Sequence, residues 1–134
     1  MSWIVIVAVL VAGILSSFTD WLFMGVLFHE RYGRYPETWW PRQKTETMPI
    51  LYSTALGFIT SAAVIAICAT AGVDGVWSGI KIAFLVWLAG SFVQVVTTQI
   101  WVKIDPLVSV AHAAGYLARF LIAGIAAGIA LPML

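Results

Sequence analysis

Charge is scarce in this sequence: seven Lys and Arg and six Asp and Glu make up 10% of its 134 residues, and the net charge is +1. A chain so nearly neutral projects no long-range field that would attract nucleic acid, and nucleic acid is not an expected partner. The one cysteine, Cys68, lies inside an apolar run, so no intrachain disulfide framework exists. Histidine is limited to His29 and His112, with no H-E-x-x-H and no cysteine pair, whereas a zinc site needs three or four converging ligands. The same two histidines are all that could clasp a b-type haem, and nothing else in the sequence supports one. P-loop, G-x-G-x-x-G and G-x-S-x-G motifs are absent as well. No metal, no cofactor and no catalytic residue is expected, and catalysis has no positive support.

What the chain has in quantity is apolar surface, with 62% hydrophobic residues and a mean hydropathy of +0.99, outside the range of soluble domains. A helix needs about 20 mainly apolar residues to cross the hydrocarbon core. Four runs reach that length, at about 3–28, 49–71, 77–101 and 106–131. The opening stretch lacks a basic n-region and outruns a signal-peptide core, so it is expected to be retained as the first helix. Continuous apolar runs, without the alternation of barrel strands, indicate helices. The expected fold is all-α: one polytopic domain over 1–134, a four-transmembrane-helix bundle with an interfacial loop at 29–48.

Lysine and arginine set the orientation. The first and third connections hold Arg31, Arg34, Arg42, Lys44 and Lys103, against Lys81 alone on the other face, which puts both termini on the non-cytoplasmic side. Trp3, Trp39, Trp40, Trp77 and Trp101 fall near span ends, where an indole keeps its ring in lipid and its N–H among headgroups. Tyr32, Tyr35, Trp39 and Trp40 alternate with Arg31, Arg34 and Arg42, the composition of a segment lying along the interface.

Two stretches carry a family likeness: FTDWLFMGVLFHERYG at the end of the first span, and a second hairpin in which GIKIAFLVWLAGSF is followed by AHAAGYLARFLIAGIAAGI. Together they resemble the small four-span bacterial membrane proteins grouped as domain of unknown function 1761. That family closes its first span with an aromatic-aromatic-x-x-Leu-Phe sequence, which Trp21, Phe23, Gly25, Leu27 and Phe28 echo. Its Trp-Tyr-Gly-Pro run is met by Leu22, Phe23, Met24 and Gly25, without the proline. The resemblance implies a four-span fold in a bacterial inner membrane and attaches no activity to it. Small multidrug-resistance exporters have a similar size, but their first-span glutamate has only Asp20 as a counterpart. The Gly-rich and Arg-bearing signatures of the fluoride channels are missing.

An ionisable side chain at a helix centre costs on the order of 2.5 to 3.5 kcal/mol to insert, so each one is paired, snorkelling or functional. Asp20 lies about 12 Å, and Arg119 about 20 Å, from the cytoplasmic ends of their spans at 1.5 Å per residue. They are expected to pair, fixing the register of the first and fourth helices, or to form a proton or cation site. His112, Tyr116 and Arg119 share a stripe of the fourth helix at i, i+4, i+7. Gln94, Thr97, Thr98 and Trp101 form a stripe on the third, Ser17 and Asp20 share a face of the first, and Thr60 and Ser61 sit on the second. Asp20, Gln94, His112, Tyr116 and Arg119 are therefore the candidate intramembrane cluster. Gly124 and Gly128 make a GxxxG, and Gly57 sits between Ser53 and Ser61 in a small-residue repeat, all three glycines being helix-packing positions within the chain or against a second copy.

The function expected from these features is that of a small structural or accessory membrane component. Its expected partners are the lipid bilayer and either a second copy or a subunit of a membrane complex. A proton-coupled transporter or ion-conducting homo-oligomer built on the Asp20, Arg119 and His112 cluster is the alternative. A lipid-modifying enzyme using Asp20 and His112 stands third.

Overall fold

In hydrocarbon every backbone N–H and C=O must find its partner within the protein, and a long apolar run does so by coiling into helix. The computed structural model describes residues 2–41 and 47–134, and helix is the only regular structure among them. The basic residues Arg42 and Lys44 lie outside the described residues. Four helical spans are long and apolar enough to cross a membrane, at 3–27, 47–70, 76–101 and 106–133. This is a multi-pass, all-α membrane protein.

Helix α1 (Trp3–Asp20) starts at Ser2, whose Oγ accepts from the Ile4 N–H at 3.3 Å, and continues as a π-helix over Trp21–Leu27. The first connection contains 3₁₀ turns at His29–Gly33 and Pro36–Thr38. Helix α2 (Thr47–Thr70) ends in a turn where Gly72 takes φ +72° and the Val73 N–H donates to the Cys68 carbonyl at 3.0 Å. A left-handed residue at this position closes a helix, and glycine adopts it without a Cβ clash. The third span is α3 (Val76–Trp87), a π-helical stretch (Leu88–Phe92) and α4 (Val93–Trp101). Helix α5 (Pro106–Ala130) opens with the Asp105 carboxylate accepting from the Leu107 N–H at 2.9 Å, and Pro106 fills the first helical position, where no N–H is needed.

Helix α5 is the spine. It packs against α3 on one side and against both α1 and α2 on the other, while α2 and α3 barely meet. The apolar core of Val64, Ile65, Cys68, Val73, Ala83, Ala123 and Ala127 lies in the half of the bundle nearest the termini. There the helices touch backbone to backbone. A Cβ at Gly124 would stand 2.5 Å from the Gly79 carbonyl oxygen, and one at Gly128 would stand 2.5 Å from the Gly75 carbonyl oxygen. The GxxxG of α5 is thus spent within the chain, on α3. Gly57 is buried where α2 crosses α1, with the Gly13 carbonyl oxygen 4.0 Å from where its Cβ would be.

The third span departs from the expected stripe, and the cause is local. Gly79, Ala83 and Trp87 are buried, and an uninterrupted α-helix would continue that face to Gln94. The π-helical stretch intervenes, and one inserted residue rotates everything after it by about 100°. The inner face becomes Ser91, Val95, Thr98 and Gln99, while Gln94, Thr97 and Trp101 are exposed.

Candidate functional site

The 3.6-residue period of α5 sets His112, Tyr116 and Arg119 above one another, and α1 and α2 bring Asp20 and Thr60 alongside. Arg119 Nη2 donates to Asp20 Oδ2, an ion pair between α1 and α5 whose side chains are only 14% exposed at Asp20 and 9% at Arg119. The guanidinium also reaches Thr60 Oγ1 at 3.5 Å and lies 5.2 Å from the Tyr116 ring centroid, a cation–π contact. Thr60 in turn donates to the Leu56 carbonyl at 2.8 Å, so its lone pairs face the guanidinium. One arginine thereby joins three helices.

Below Arg119, the Tyr116 ring stands edge-on to His112 at 6.3 Å. The Tyr32 hydroxyl lies 2.7 Å from His112 Nε2, and Trp39 packs against both the Tyr32 ring at 5.1 Å and the His112 ring at 6.3 Å. The first connection therefore folds back onto the bundle, and Trp39 joins this aromatic group. Burial, and secondarily Tyr116, push the Tyr32 hydroxyl up to about 12, which keeps it protonated and able to donate.

The connection is pinned further out by Thr38, which donates to the Lys103 carbonyl at 2.6 Å, and by ion pairs of Arg34 with Asp105 at 3.4 Å and of Lys103 with Glu37 at 3.2 Å. The Leu107 N–H, and after it Arg34, hold the Asp105 carboxyl below the usual carboxylate range. Glu37 is lowered by its own backbone N–H and by Lys103.

No family model, curated protein or solved structure matches this chain.

Four of the five candidate cluster residues come together: Asp20, His112, Tyr116 and Arg119. Gln94 does not join them, because the π-helical stretch turns it to the outside of the span. Gln99 takes the inward place, its Nε2 donating to the Ile104 carbonyl at 3.0 Å and its Oε1 accepting from Ser109 Oγ. Tyr32 and Thr60 are the members that a search for intramembrane charge undervalues. Tyr32 is far from His112 in sequence, while Thr60 was visible only as one hydroxyl beside Ser61.

A cavity of about 550 Å³ opens between the lower parts of α1 and α2. Its wall includes Ser17, Asp20, His29, Tyr32, Thr54 and His112 together with apolar groups such as Met24 and Ile50. Polar groups thus run from the connection face to the level of Arg119. Above that level the interior is packed with Ala12, Ala123, Ala127 and Val64, and the opening there, an apolar groove of about 570 Å³ between α1 and α5, has only apolar residues in its wall. Among the described residues, no group of three or more His, Cys, Asp and Glu could hold a metal ion.

Proposed function

We propose that this chain is a structural or accessory component of a bacterial inner membrane, with both termini on the non-cytoplasmic side. The observation that carries the reading is the Asp20–Arg119 ion pair. It is nearly buried and cross-braced by Thr60 and Tyr116, so the intramembrane charges are used in holding α1, α2 and α5 in register. Arg31, Arg34 and Lys103 on the connection side, against Lys81 on the other, support the orientation. The resemblance to domain of unknown function 1761 agrees with the location.

The decisive experiment compares wild type with Asp20→Asn in proteoliposomes under an imposed pH gradient. The proposal expects no proton flux from either, and a lower melting temperature for the variant. Wild-type flux that Asp20→Asn abolishes in a folded protein would contradict it.

One observation favours the alternative of a proton-coupled transporter. The Asp20 carboxylate lines the 550 Å³ cavity on the same side as His112 and Tyr32, the arrangement of a one-sided access path to mid-membrane. The apolar, packed interior of the terminal half argues against continuous conduction through one copy.

A further inference from the structure

The third span leaves a carboxamide facing outward at membrane depth. Gln94 is exposed, seven residues from the end of its span at Trp101, about 10 Å inside at 1.5 Å per residue. Its carboxamide makes no hydrogen bond to any described residue, whereas the nearby Gln99 is satisfied by Ile104 and Ser109. A carboxamide left against acyl chains loses its hydrogen bonds to water and gains none. Lipid tails cannot supply them. Helix α4 has no buried residue, and Gly90, one turn earlier on the same face, has nothing within 4 Å of where a Cβ would stand. That pairing of an open glycine with an outward glutamine is a consequence of the π-helical stretch, which turned this face away from α5.

We infer that the Gly90–Gln94 face of the third span is the docking surface for a second copy of this chain. The chemistry selects that occupant because a carboxamide carries both donors and an acceptor. About a two-fold axis along the membrane normal, Gln94 meets Gln94 of the second copy and the two exchange N–H···O bonds. Gly90 lets the two backbones approach closely enough for the bonds to form. The GxxxG of α5, the other candidate for self-association, is excluded because α3 covers it.

The full chain in proteoliposomes tests this, with Cys68→Ala as background so that an introduced cysteine is the sole thiol. Thr97→Cys, at an exposed position one turn beyond Gln94 on the same face, is expected to cross-link between copies on oxidation, while Ile59→Cys, at a 63% exposed position on α2, is expected to remain monomeric. Energy transfer between labelled copies should show Gln94→Leu raising the dissociation constant about tenfold, the value of two interhelical hydrogen bonds, and Gln94→Asn restoring most of it. Circular dichroism melts establish that the variants fold. Cross-linking at Thr97 no greater than at Ile59, or a folded Gln94→Leu that associates as tightly as wild type, would overturn the inference and leave a different membrane protein as the occupant of this face.

Discussion

The terminal half of the bundle and the connection half are built from opposite materials. Near the termini, α5 meets α3 through Gly124, Gly128, Gly75 and Gly79, backbone on backbone, around a core of small and β-branched side chains. Toward the connections the helices are separated by Arg119, Tyr116, His112 and Tyr32, and a cavity opens beside Asp20. Both π-helical stretches, Trp21–Leu27 and Leu88–Phe92, fall on this second side of the molecule. Dispersion in close contacts holds the first half, and directional polar bonds hold the second. Substitutions should therefore fail differently in each.

The largest effect is expected in the polar half. Asp20→Asn or Arg119→Gln strands part of a nearly buried ion pair, and loss of one partner of such a pair costs about 3–5 kcal/mol; thermal melts in lipid nanodiscs read it as a large drop in melting temperature. In the terminal half, Gly128→Ala should cost about 1–3 kcal/mol, because the added methyl meets backbone at Gly75 and Val76 and neither can rotate aside. Gly57→Ala sharpens the contrast. Its Cβ would find Ser17 Oγ at 3.8 Å, an ordinary contact, so the melting temperature should move by less than about a third of the Gly128→Ala shift.

A smaller change is expected at the connection, where Tyr32→Phe removes the hydroxyl facing His112 and should cost about 1 kcal/mol. Limited proteolysis within 29–41 would report it as faster cleavage. The smallest effect is one of pH. Asp105 and Glu37 both have folded-state values held below their unfolded ones. Their contribution is fully present at neutral pH and is lost as pH falls past the ordinary carboxylate range and through those lowered values. The same proteolysis should accelerate there and remain unchanged between about pH 6 and 8.

Hydropathy and the α-helical period made much of this visible in the sequence. Four spans follow from run length, and the stripe of His112, Tyr116 and Arg119 follows from an α-helix without interruption, as does the meeting of Arg119 with Asp20. The misplaced residue is Gln94, and its error has one source: a π-helical stretch has no strong composition signal, yet it shifts every later residue to a new face. The return of Tyr32 and Trp39 onto His112 was hidden for a different reason. An aromatic and basic loop is equally suited to a headgroup layer, and only tertiary contact decides between the two. Gly124 and Gly128 marked close helix approach but not which helix, since the same pattern serves contacts within and between chains.

The central claim, that Asp20 and Arg119 act together as a structural brace, is tested most directly by a double-mutant cycle on stability in nanodiscs. Wild type, Asp20→Asn, Arg119→Gln and the double variant would be melted under identical conditions. A brace predicts that the double variant is more stable than the sum of the two single losses implies, because removing the second charge relieves the one left unpaired. Additive losses, with no coupling between the two positions, would contradict it.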